Sequence, residues 1–158
     1  MPSNATTSHL LSSTDYTAAE FGGQWADVDH PYFYYDPGFK SFCLQKLDDL
    51  KQLSNGWDYD GAPPIKPDVI QAVREFANAL PEHIATRPMV VPLSSGNVQL
   101  EWQHGGAALE LEFESPSEVH YLKWHPARQI EEEQTVPTSD RDQLVGLIRW
   151  FMKETLDD

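Results

Sequence analysis

Cysteine is nearly missing from this sequence: Cys43 is the only one in 158 residues. A lone cysteine closes no internal disulfide. Its neighbours Phe39, Phe42, Leu47 and Leu50 follow a helical apolar stripe, which predicts a buried, inert thiol and gives no sign of an oxidising compartment. No apolar run approaches the roughly 20 residues of a membrane span, and the N-terminus, MPSNATTSHLLSSTDYT, lacks the basic start and long apolar stretch of a secretory signal. The expected location is the cytoplasm, where the acceptor pattern Asn4-Ala5-Thr6 is not glycosylated. Also lacking are a G-x-S-x-G elbow, a G-x-G-x-x-G turn, a phosphate-cradling glycine loop and any His/Cys cluster; His104, His120 and His125 stand apart from one another. No cofactor and no metal is expected.

Cations are scarce too. Eleven Lys and Arg against 25 Asp and Glu give a formal charge of −14 and a pI near 4.6. Such a field repels nucleic-acid backbones and anionic lipids over a Debye length of ~8 Å at physiological salt. Direct nucleic-acid and membrane binding are therefore disfavoured, and a basic protein partner is favoured. Solubility alone accounts for a negative charge equally well.

Residues 1–20 are rich in Ser, Thr and Ala without periodicity and read as a poorly ordered tail. Residues 21–38 form an aromatic, acidic arm; the stretch Phe21 to Phe39 holds seven aromatic residues, three aspartates and no Lys or Arg. Residues 39–158 read as one domain, long enough to bury a core without staples. Its first helix is expected from about Gly38 to Leu53, and its second after Pro67-Asp68, through Val69, Ile70, Val73, Phe76 and Ala77 to Leu80. Met89 to Leu93 reads as a short strand with Pro92 at an edge or end.

The period then changes to alternation. In Asn97 to Glu114, Val98, Leu100 and Trp102 alternate with polar residues before Gly105-Gly106, and Leu109, Leu111 and Phe113 alternate with glutamates after it. With the glycine pair as the two central turn residues, Trp102 faces Leu109, Leu100 faces Leu111, and Val98 faces Phe113, while Glu101 lies opposite Glu110. A third strand is expected over Glu118 to Trp124, with Leu122 and Trp124 in the core and Lys123 neutralising Glu110. A further short strand fits Gln129 to Val136, with Glu131, Glu132 and Glu133 solvated. The last helix is expected after Thr138-Ser139-Asp140, through Leu144, Leu147, Ile148 and Phe151. The fold class is α+β: an antiparallel sheet of three to five strands in a meander, with helices packed on one face.

Two stretches invite a functional reading. The segment SNGWDYDGAPPI, Ser54 to Ile65, faintly matches a calcium loop, but its glycine and terminal acid fall at the wrong positions. It makes better sense as a stiff corner, with Trp57 plugging a gap; Trp57 and Tyr59 are also residue types that anchor interfaces. The glutamates 101, 110, 112 and 114 form a row whose repulsion calls for water, a cationic neighbour or a function.

NGWDYDGAPPI, together with NVQLEW and LELEF, resembles a set of small uncharacterised bacterial proteins with the pattern N-W-D-G-Y-G-A-x-P-I, an L-E-W hairpin strand and a closing hydrophobic helix. The resemblance covers about residues 44 to 152. This chain departs from the pattern by inserting Gly56 before Trp57 and by reading Asp58-Tyr59-Asp60-Gly61 in the following positions. The family has no established activity, so the resemblance implies a fold and transfers no catalytic residue.

Charge and aromatic content together lead to the expectation of a non-enzymatic, acidic protein-binding module: an inhibitor, antitoxin or immunity-type partner of a basic or nucleic-acid-acting protein. The partner-binding residues would be Trp25, Asp27, Asp29, Tyr32, Tyr34, Tyr35 and Asp36 in the arm, Trp57 and Tyr59 in the corner, and Glu101, Glu110 and Glu112 on the hairpin. The competing expectations are a small enzyme or ligand-binding protein with Asp58, Asp60 and Glu101 in a pocket between sheet and helices, and a nucleic-acid mimic.

Overall fold

The computed structural model describes residues 38–156. The tail and the aromatic arm, with its seven expected partner-binding residues, lie outside the described residues.

Three helices and five strands follow in the order α1 (Gly38–Leu50), α2 (Pro67–Asn78), β1 (Met89–Pro92), β2 (Val98–His104), β3 (Ala107–Ser115), β4 (Glu118–His125), β5 (Ile130–Pro137) and α3 (Arg141–Glu154). A single 3-10 turn, Pro126–Arg128, links β4 to β5. The strands form an antiparallel meander in the order β1-β2-β3-β4-β5, the upper end of the three to five strands expected. None of the described helices is long and apolar enough to cross a membrane.

One face of the sheet carries the core. Val98, Leu100, Trp102, Leu109, Leu111, Phe113, Val119, Tyr121 and Val136 are buried there against Phe39, Cys43 and Leu47 of α1, Val69, Val73 and Phe76 of α2, and Leu144, Ile148 and Phe151 of α3. Fully burying each large side chain contributes ~1.5–3 kcal/mol. Phe39 stacks on Trp102 at 6.0 Å and meets Phe76 edge-on at 6.5 Å. Trp102 also satisfies its indole N–H on the Thr86 carbonyl at 2.8 Å, so burial leaves no unpaired donor.

The start of α1 shows how closely the segment before β1 is tied to it. The Phe39 N–H donates to the Glu82 carbonyl at 2.9 Å and the Ser41 N–H to the Glu82 carboxylate at 3.1 Å, which caps a helix terminus from far along the chain. A hydrogen bond from the Ser41 side chain, then the one from its backbone N–H, with charge attraction from His83 and Lys40, hold the Glu82 carboxyl below its ordinary pKa against partial burial. At Gly38 a Cβ would lie 2.7 Å from the Glu82 carbonyl oxygen, and φ is +77°, so glycine is required twice over. The helix stops at Leu50, three residues short of the expected Leu53, and Asn55-Gly56 belongs to the following loop.

β4 shows the opposite face from the one expected. Tyr121 and Val119 are buried in the core, whereas Leu122 is half-buried and Trp124 exposed on the other side. The cause is a bulge. Ser115 pairs with Glu118, and an unbroken ladder from there would set Phe113 against His120 and carry Leu122 and Trp124 inward. The register shifts between Phe113 and Ser115, so Phe113 pairs with Val119 and every β4 side chain changes sides. Lys123 consequently pairs with Leu109 instead of neighbouring Glu110.

Candidate functional site: the open face of the sheet

Paired residues in an antiparallel ladder share a face. The side of the sheet away from the helices therefore carries Met89 and Val91 of β1, Gln99, Glu101 and Gln103 of β2, Glu110 and Glu112 of β3, His120, Leu122 and Trp124 of β4, and Glu131, Glu133 and Thr135 of β5. The five strands contain eight glutamates and one cation, Lys123, which lies on the helix side.

The hairpin register is the expected one: Glu101 is opposite Glu110, and Gln99 opposite Glu112. A single amide eases the repulsion. The Gln99 side chain donates to Glu101 at 2.8 Å and to Glu110 at 3.2 Å, bridging the two carboxylates. Partial burial, then the Glu101 charge, and further the Glu112 charge, nevertheless raise the Glu110 pKa above the ordinary carboxylate value against that amide and His120. At the end of the row the Asn97 side chain donates to Glu112 at 2.8 Å and accepts from Lys66 at 2.8 Å, so one lysine reaches the margin of the face through an amide. Across β4 and β5, His120 lies 3.0 Å from Glu133. Leu122 sits between Glu110 and Glu133, and Trp124 is beside Glu131. The result is an apolar centre with carboxylates around it.

Glu132 is the exception among the three consecutive glutamates, which were expected to be solvated alike. It faces the helix side, where the Tyr121 hydroxyl donates to it at 2.5 Å and Lys123 lies 3.4 Å away. The Tyr121 bond leads in holding the Glu132 carboxyl below its ordinary pKa. Burial, then that bond, push Tyr121 up to about 12. Lys123 completes the group over the Trp150 ring at 5.0 Å.

The corner loop turns its carboxylate inward. Asp58 accepts the backbone N–H groups of Asp60 and Ala62, both at 2.9 Å, and these bonds lower its pKa. The Trp57 indole donates to the Pro63 carbonyl at 2.9 Å, and its half-buried ring packs on the core. Tyr59 stands fully exposed at the tip, in a left-handed conformation at φ 63°. Asp58 and Asp60 are not brought together with Glu101 in a pocket. A half-open cavity of about 610 Å³ is lined by Glu101, Met89, Trp102, Phe151, Met152 and Leu156 among others, and neither aspartate lines it.

Sequence reasoning set His125 aside as an isolated strand-end histidine and passed over Glu154. Both are buried, with His125 Nε2 3.8 Å from Glu154 Oε2 and Arg128 Nη1 2.8 Å from the same oxygen. Only a strand-end histidine and a helix-end glutamate were visible in the chain, and neither position signals burial. Among the described residues no group of three or more His, Cys, Asp or Glu could hold a metal ion. The chain matches no protein-family model, no curated protein and no solved structure.

Proposed function

We propose that this chain is an acidic protein-binding module that docks a basic protein on the open face of its sheet, as an inhibitor, antitoxin or immunity-type partner does. The observation that carries this reading is the one-sided charge: the face presents Glu101, Glu110, Glu112, Glu131 and Glu133 around Leu122 and Trp124, while the single strand lysine lies behind it. Apolar anchors supply affinity and the surrounding carboxylates steer and select a cationic partner. Glu110 adds a specific reason. A carboxylate that partial burial and its neighbours hold against ionisation gains when a cation arrives. Tyr59, exposed at the tip of the corner, is a further contact candidate, and so are the aromatic residues and aspartates of the arm, Trp25 to Asp36.

The test is affinity capture from the source cells with the full chain and with a variant carrying E101Q, E110Q, E112Q and E131Q. A stoichiometric basic protein held by the parent, lost by the variant and associating more slowly as salt rises is the expected result. Recovery of no stoichiometric partner, or equal capture by both proteins, defeats the proposal.

A pocket enzyme is less well supported. Glu101 and Glu110 form a carboxylate pair with one raised pKa, yet only Glu101 lines the half-open cavity, and Glu110 lies outside it on the open sheet face. A mimic of nucleic acid would need longer rows of acids than this face provides.

A further inference from the structure

We infer that the free edge of β5 is a strand-addition site, at which an extended segment of the partner with lysine or arginine at alternate positions joins the sheet as a sixth strand. The inference rests on the basic-partner reading and adds the mode of recognition.

The two edges of the sheet differ. β1 is four residues long, with Pro88 before it and Pro92 at its end, and proline offers no N–H to a neighbouring strand. β5 runs from Ile130 to Pro137 with its only proline at the last position, and among the described residues no strand follows it in the order. Seven residues at ~3.4 Å each give roughly 24 Å of backbone for pairing. Glu131, Glu133, Gln134 and Thr135 are exposed along it. Natural edges are commonly blunted by lysine or proline. The charged residues of this one are all glutamates, so it repels a second copy of itself and admits a cationic strand.

The side-chain alternation sets the sequence that fits. Glu131 and Glu133 point to the open face, and cationic residues two apart in the incoming strand would stand beside them, with the longer side chains reaching toward Trp124. The position between them falls on the Glu132 side, where Lys123 is already paired, and takes a neutral residue. Spacing therefore distinguishes a suitable segment from one that is merely basic.

The experiment uses the full chain, labelled with nitrogen-15, and three synthetic nine-residue peptides of one composition at low salt. One alternates lysine with threonine and valine, one groups its lysines together, and one is the alternating peptide N-methylated along an edge. The alternating peptide should slow exchange of the β5 edge amides about tenfold at a concentration near ten times its dissociation constant. The grouped and methylated peptides should do so far less, and E131K/E133K should transfer the effect to a peptide with glutamate in place of lysine. If all three peptides bind alike and perturb Glu101, Glu110 and Glu112 without protecting β5, the edge site is overturned and the basic-partner reading survives. If none binds at millimolar concentration, both fall. Protection of β5 that grows with protein concentration and not with peptide would assign the edge to a second copy, which also overturns the inference.

Discussion

Replacing Tyr121 by phenylalanine isolates one side-chain contact between β4 and the last strand. The ring is fully buried and would stay so; only the hydroxyl that donates to Glu132 is lost. A hydrogen bond to a charged acceptor contributes ~1.5–3 kcal/mol. Glu132 is 41% exposed and keeps Lys123, so solvent takes over part of the bond's role and the cost at neutral pH should be about 1–2 kcal/mol. The pH dependence is the sharper signature. Tyr121 is raised from 10.0 to about 12, so its contribution is complete below pH 10 and is lost as pH rises through 12. Two units at ~1.36 kcal/mol each put an upper limit near 3 kcal/mol on that loss. Urea unfolding of both proteins between pH 8 and 12 measures it, and Cys43, whose thiol also titrates near 12, cancels in the difference. The parent should lose stability toward the variant across this window and, at that upper limit, fall below it, because burial leads the shift and a buried tyrosinate costs more than a phenyl ring. Parallel curves with a constant gap would refute the reasoning.

Three further outcomes follow from the same geometry. E110Q should raise stability at pH 7 by a few tenths of a kcal/mol after allowance for screening, because a raised carboxyl pKa means that ionisation costs folding free energy; the gain should vanish as pH falls to about 4 and shrink in high salt, as read by thermal melts. D58A should lower the melting temperature and open the corner to proteolysis, whereas D60A should leave both unchanged, since only Asp58 holds backbone N–H groups. Cys43, fully buried and pushed up to about 12, should ignore a thiol reagent at pH 8 in the native protein and react in denaturant; rapid native-state labelling would contradict its burial.

Strict alternation made the hairpin legible from the chain. Val98, Leu100 and Trp102 on one side of Gly105-Gly106, and Leu109, Leu111 and Phe113 on the other, admit one register, and the strands pair in it. The helices were legible from their apolar stripes, and Pro67 marked the start of α2 where a missing N–H does no harm. β4 was not legible, because Val119-Tyr121 and Leu122-Trp124 are nearly equivalent apolar sets on opposite faces. The choice between them is made by one unpaired residue at Glu114, which leaves no mark in composition. The helix cap by Glu82 and the burial of Glu154 depend on contacts between distant segments, which local patterns do not encode. For the candidate site the glutamate row was visible, while its apolar centre was not: placing Leu122 and Trp124 outside required the bulge.

Because Lys123 is turned inward and the cations of the helices and loops are matched there by acids, the net negative charge of the described body is concentrated on the open side of the sheet. Such a body has an electric dipole, and a positively charged surface exerts a torque on it before any atoms touch. It should be rotated glutamate-first during approach, so that a larger share of encounters begins in a productive pose than random tumbling would supply. Immobilised on a cationic support, it would hide that face and leave its helices accessible to a label.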